Sequence, residues 1–424
     1  MKLFLIILCF SAHLMMSAQA VHPKLGTSVR TTDGKLTVTL KSKKQAYMAK
    51  CDTYDSAINS PKSVNIHPSG KKFYVNSLEG ASTVCYDFET GRRLSVIKHV
   101  FNAKRDAALW SKPSGLFPWK HYTQNVNTFY GKPVESTFSH NGRYLWVPYY
   151  RRSFDINAQD PSAVAVIDTR NDKIIRLMET GPLPKMIATS PDGTLIAISH
   201  WGDNTVGLID ISSDKPSDWK YVSKLVVDYQ LKLDFPLDVS VDRDNGSGYA
   251  LRGTVFTPDN KYLFVGCMGG GGGIAVIDIP KRKYLGRILG MCDNVRHLVL
   301  SSGYLYLSIN GAGLVQRTSL RNFIKSIESI KGKVGYCRSW ETVKVGKGAR
   351  TICLTPNGRY LFAACNNVSK LYIVDTQKMK VIGNIDADSY PVGLDISSDG
   401  RYVLMTSQGR SQVGGNCVDI FEVK

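Results

Sequence analysis

The sequence predicts an all-β protein, a single seven-bladed β-propeller of four-stranded blades in which an N-terminal strand closes the last blade. Three observations carry this prediction: a hairpin unit that recurs seven times, a third strand that ends on aspartate in most copies, and a last copy too short to be complete. The reference copy is PLPKMIATSPDGTLIAISHWGDNTVGLIDIS, residues 182–212. Within it, residues 186–189 and 195–199 are short apolar-rich runs. The intervening Pro191-Asp192-Gly193 supplies the fixed φ and the permissive glycine that a reversal needs. Residues 205–210 read as a third strand, whose terminal Asp210 can accept hydrogen bonds from the backbone of the next turn. Such a unit has two apolar faces and must stack on copies of itself.

Taking Pro191 as the reference point of the turn, the equivalent positions are Pro68, His140, Pro258, Ser301, Pro356 and Ser398. The shortest intervals between them match the roughly 40–45 residues of a four-stranded blade, and the longer ones carry insertions. The third-strand endings recur at Asp87, Asp168, Asp210, Asp278 and Asp375, and read as turn caps; blade five departs from the pattern at Arg317.

In chain order, residues 1–20 read as an export signal: Lys2 is basic, residues 3–10 are apolar, and Ala18-Gln19-Ala20 is an A-x-A cleavage signature. Cleavage after Ala20 leaves residues 21–424 as one propeller domain, periplasmic or secreted. No later stretch has the ~18 uninterrupted apolar residues of a membrane span. KLTVTLKSK, within residues 27–41, alternates as a strand but precedes the first turn by too many residues to belong to blade one. CVDIFEVK at the other terminus is only the third strand of blade seven, so residues 35–40 are expected to supply the fourth and remove both open sheet edges.

Three insertions interrupt the ring. Residues 101–130 are aromatic, with Trp110, Phe117 and Trp119 among them; residues 229–249 are acidic; residues 323–340 have helical spacing at Phe323, Ile327 and Ile330. Beyond the signal lie eight cysteines, an even number compatible with disulfides in an exported chain. Cys292 and Cys337, both near loops of blade five, form the favoured pair. No C-x-x-C, C-x-x-C-H or zinc spacing occurs, so no metal site, haem or other cofactor is expected.

The alignment also sorts residues by face. Six residues before each turn reference, near the start of the innermost strand, stand Lys62, Val134, Lys185, Arg252, Val295, Arg350 and Val392, with Arg296 one position later in blade five. Nine residues after the reference stand Tyr149, His200, Asn310 and Ser407 among others. A hairpin returns the chain to the level it left, so the two sets are expected to be cross-strand neighbours. The register predicts a ring of Lys62, Lys185, Arg252, Arg296 and Arg350 around one channel mouth, with Tyr149, His200, Asn310 and Ser407 as polar partners. Arg151, Arg152, Trp201 and Arg410 are expected in the adjacent loops as bidentate and stacking contacts. Converging cations repel unless water or a ligand compensates them. The formal net charge of +19 favours the same sign of partner.

The repeat, as in TSPDGTLIAISHWGDNTVGLIDIS and TPNGRYLFAACNNVSKLYIVDT, resembles the YVTN family of seven-bladed propellers over essentially the whole mature chain. The Tyr-Val-Thr-Asn core itself is degraded, to FYVNS at residues 73–77 and LFVGC at residues 263–267. The resemblance implies the fold and leaves several functions open. Similar propellers include nucleic-acid-binding periplasmic proteins, surface-layer and cobalamin-capture proteins, lactonases, and heavy subunits of quinone-dependent amine dehydrogenases. Two readings follow. The first is a non-catalytic, monomeric binding propeller that captures a small anionic ligand, an anionic glycan, a protein partner or nucleic acid. The alternative is an enzyme, a lactonase or lyase using His200 with a neighbouring cation, or a redox subunit of a periplasmic dehydrogenase. A lone histidine with no carboxylate repeating at its level favours the first.

Overall fold

The computed structural model describes residues 20–409 and 413–424; the expected signal core and Arg410 lie outside the described residues. Seven sheets follow one another along the chain, each built on a four-stranded antiparallel blade. Blade three shows the pattern: Pro184–Thr189, Leu195–His200, Thr205–Asp210 and Lys220–Val226 pair in sequence order. The aspartates that end the third strands cap their turns. Asp87 accepts from the Thr90 N–H at 2.8 Å, Asp210 from Ser212 at 2.9 Å and Asp375 from Lys378 at 3.0 Å. Between neighbouring blades the two-faced strands bury apolar side chains, as where Val206 and Leu208 of blade three meet Leu251, Leu263 and Val265 of blade four.

The ring closes as the alternation of residues 35–40 predicts, with a longer strand. Thr37–Gln45 pairs antiparallel with Cys417–Val423, and Ser28–Arg30 adds a fifth strand outside it. Val38 opposes Val423 and Leu40 opposes Phe421, all within the core shared by blades six and seven.

Charge seals the same seam. Lys43, 5% exposed, places Nζ 2.6 Å from Asp388 and 3.7 Å from Asp419, while His22 Nδ1 lies 2.6 Å from Asp388. Asp388, Cys417 and Asp419 are grouped closely enough to hold a metal ion, but the Lys43 ammonium already occupies the cationic position. Burial pulls the Lys43 pKa down, and the charges of Asp419 and Asp388 outweigh it, so the ammonium is held. Burial also acts on Asp388, where hydrogen bonds from its neighbours win and keep its carboxyl below the usual range. Lys43→Met would leave buried carboxylate charge uncompensated, which costs about 3–5 kcal/mol. Chemical denaturation should show that loss. The native protein should lose the Asp388 contribution as pH falls below the usual aspartate range, because a depressed folded pKa stabilises only while the group is ionised.

The aromatic and helical insertions pack against the blades, whereas the acidic insertion 229–249 reaches the ring's surroundings: Arg243 Nη2 donates to the Gly202 carbonyl at 2.7 Å, and the Asp244 charge acts on Lys185 and Arg350. Phe101 and Phe129 pack against Tyr149 of blade two, and Trp110, Trp119 and Phe129 surround the buried Arg152 at 4.9, 4.6 and 4.7 Å. The spacing of Phe323 and Ile327 yields a short helix, Leu320–Ser326, capped by Ser319, with Phe323 against Phe264 of blade four at 4.8 Å. Val334–Tyr336 then pairs parallel with the outer strand of blade four. No bridge joins Cys292 to Cys337, and all eight cysteines beyond the signal are free thiols. Cys292 is exposed, whereas Cys337 is buried with Sγ near Thr318 and Ser339. Among the described residues no helix is long and apolar enough to cross a membrane.

Candidate functional site

The innermost strands open on an irregular step, and that step carries the cations. The pairing register shifts between Pro61 and Val64, Pro184 and Met186, Leu251 and Thr254, Val295 and His297, and Ala349 and Ile352. Lys62, Lys185, Arg252, Arg296 and Arg350 each fall inside one of these five steps. A bulge re-aims a side chain out of the ladder, here toward the other cations. Hydroxyls of adjacent strands fix several of these backbones: Thr406 Oγ1 donates to the Lys62 carbonyl at 3.0 Å and Ser308 Oγ to that of Arg350 at 2.5 Å.

The five groups converge closely enough to feel one another. Burial lowers the Lys62 pKa well below its ordinary value, and Arg350, Arg252, Lys185 and Arg296 lower it further. Burial and then Arg252 do the same to Lys185; burial, Arg350 and Arg252 do so to Arg296. Burial and Arg252 bring Arg350 down to about 10. Lys62 and Arg296 retain some accessible surface, so water screens part of this repulsion.

Two carboxylates offset part of this charge, Glu135 by direct contact and Asp244 at longer range on Lys185 and Arg350. Arg252 Nη2 pairs with Glu135 at 2.7 Å, and its Nη1 donates to the Lys185 carbonyl at 3.2 Å. Among the described residues this is the one ion pair made by the five. Lys185 instead lies between aromatic rings, its Nζ 4.0 Å from the Tyr150 centroid and 5.0 Å from that of Trp201. Arg350 approaches the Tyr390 ring at 5.9 Å, and Arg296 contacts Met268 Sδ at 3.3 Å. The Nε atoms of Arg296 and Arg350 are buried without an acceptor.

The expected polar partners divide. Trp201 stands beside Lys185, and Asn310 donates to the Ala349 carbonyl at 3.1 Å, next to Arg350. His200 and Tyr149 do not join the ring. His200 is fully buried, with Nε2 on Thr180 at 2.7 Å, Nδ1 on Thr205 at 2.8 Å and Phe117 of the aromatic insertion against its ring. Burial holds its pKa down at about 3, and both ring nitrogens are occupied. Tyr149 bonds His99 at 2.9 Å inside the blade two core. Ser407, opposite Pro391, is fully buried too. Arg152 is held in its aromatic cage, and Arg151 bonds its own loop at the Ile156 carbonyl.

The cause is a one-residue offset. His200 pairs with Pro184 and Tyr149 with Pro133, so the cation follows the paired residue, and it is the next residue on the second strand, Tyr150 or Trp201, that flanks Lys185. Sequence reasoning also missed Glu135. It follows Val134 as Arg296 follows Val295, and the same one-step shift would have found it.

No family model matches the chain. A 243-residue stretch is 23% identical to Antigen Lp49 of Leptospira interrogans serogroup Icterohaemorrhagiae serovar copenhageni (strain Fiocruz L1-130), covering 54% of this chain and 46% of that protein. The chain thus spans about half the length of this curated relative. Among solved structures, a chain of Kuenenia stuttgartiensis hydrazine synthase superposes with a TM-score of 0.61 at 14% identity, over 89% of this chain and 99% of that one. The Cps50 (Swd1) β-propeller domain of Myceliophteria thermophila does so with a TM-score of 0.58 at 12% identity, over 86% and 97%. At these identities the structural likenesses show the fold alone: this chain is a seven-bladed β-propeller.

Proposed function

We propose that the chain is an exported, non-catalytic propeller that captures a compact polyanionic ligand, such as a phosphate ester or a polycarboxylate, at the ring of Lys62, Lys185, Arg252, Arg296 and Arg350. One observation carries this reading: five converging cations share a single ion-paired carboxylate, Glu135, among the described residues. A fold that gathers charge without pairing it spends stability, and a multivalent anion would return it. Tyr150, Trp201 and Asn310 flank the ring and would shape the ligand's surroundings. The A-x-A signature at residues 18–20 supports export. The neutral, doubly bonded His200 leaves no free imidazole nitrogen for general acid–base work.

Calorimetric titration of the mature protein with pyrophosphate and with citrate tests the proposal. The expected result is saturable one-to-one binding of at least one of them that weakens between low and physiological salt. Absence of binding at both salt concentrations would remove the ring as a small-anion site.

A further inference from the structure

A cleft of about 720 Å³ lies between the outer strands of blades two and three, away from the ring. One wall is the arm 108–114 of the aromatic insertion, laid along the outer strand of blade two, where Trp110 bridges Leu177 in parallel and the Ser111 N–H donates to the Leu177 carbonyl at 2.9 Å. The opposite wall is the segment 216–221 of blade three. Its volume falls within the ~300–1,000 Å³ of small-molecule sites.

Arg176 spans the cleft. Its Nε donates to Ser111 Oγ at 2.5 Å and its Nη2 to the Trp219 carbonyl at 2.9 Å, while Nη1 is buried with no acceptor. No carboxylate among the described residues forms an ion pair with it. The two acids in the lining are engaged elsewhere: Glu179 accepts from Trp119 Nε1 at 3.0 Å, and Asp218 accepts from Ser213 at 2.8 Å and Ser217 at 3.1 Å. Trp110, also in the lining, packs its indole against Arg152 at 4.9 Å. Lys112 and Lys220 add positive charge. The remaining lining includes Leu109, Ile175, Met178 and Trp219, which are apolar.

We infer that this cleft is a second binding site, for a small molecule with an aromatic or otherwise apolar body and one carboxylate, the carboxylate directed to Arg176. The unpaired Arg176 Nη1 together with a positive rim selects an anionic acceptor, because an N–H buried without an acceptor has lost its water and regained nothing. Apolar walls select the body. The fully buried Trp219 and the strand backbones make the floor rigid, while the arm 108–114, with several exposed residues, forms the side at which a ligand enters.

Calorimetric titration of the mature protein with 2-naphthoate, and with 2-naphthalenemethanol as its neutral counterpart, tests the assignment. The wild type should bind the acid at least tenfold more tightly than the alcohol. Arg176→Gln should abolish that preference and leave binding of the alcohol unchanged. Ala108→Trp, on the exposed wall, fills the cleft without touching the core and should weaken both probes tenfold or more. Arg296→Gln with Arg350→Gln should leave naphthoate binding intact, so failure of the ring proposal and failure of this one are separable. Three results would overturn the assignment: no preference for the acid in the wild type, naphthoate binding indifferent to both cleft substitutions, or naphthoate binding lost in the ring variant.

Discussion

A chain lacking residues 21–45 is expected to lose the closed propeller and to associate through blade seven. The deletion removes the strand Thr37–Gln45, which pairs with the whole of Cys417–Val423. It also removes Val38 and Leu40, both fully buried against blades six and seven. Each such side chain contributes roughly 1.5–3 kcal/mol on burial, and the Lys43 pair at the same seam goes with them. What remains is an open edge in which Cys417, Val418, Ile420 and Phe421 sit in a run of β-forming residues. An exposed, apolar edge strand is a template for pairing with another chain. Size-exclusion chromatography with light scattering should show oligomers, and the melting transition should fall or disappear. A truncated chain that stays monomeric with unchanged melting would show that the closing strand is dispensable.

The turns, the strand endings and the closing strand were legible because each depends on local chemistry. Pro191-Asp192-Gly193 and its equivalents mark reversals wherever they occur, and Asp210 caps its turn with the neighbouring Ser212. The cationic ring was legible for a related reason: counting from the turn places Lys62, Lys185, Arg252 and Arg350 at one level. The bulges were not legible. They insert a residue without changing the composition, and a one-residue shift exchanges the faces of a strand. His200 and Tyr149 were therefore assigned to the ring when Trp201 and Tyr150 hold those places. The aromatic insertion hid the rest, since Phe117 reaches across to cover His200, and the arm carrying Trp110 and Ser111 meets Trp219 only through the blade packing. Contacts of that range have no sequence period to betray them.

If the ring binds an anion as proposed, replacing Arg296 and Arg350 together by glutamine is expected to weaken that binding while leaving the fold at least as stable. These two are chosen because neither has a carboxylate partner, whereas removing Arg252 would strand Glu135 beside the channel. A hydrogen bond to a charged group is worth about 1.5–3 kcal/mol. Two of them correspond to roughly 10² to 10⁴ in Kd. The melting temperature should be unchanged or raised, since burial and mutual repulsion already oppose both charges. Proton linkage supplies an independent reading. Lys62 and Lys185 have folded pKa values lowered from 10.5, so at pH values between the lowered pKa and 10.5 the unfolded chain binds more protons than the native one. The unliganded wild type should therefore gain stability as pH rises through that window. In the double variant the repulsion that Arg296 and Arg350 exert on Lys62 is gone, the lysine pKa moves back toward its ordinary value, and the gain should shrink. Retained affinity for pyrophosphate or citrate, together with a pH–stability profile identical to that of the wild type, would mean that these two arginines act independently of the ring and that the anion is held elsewhere.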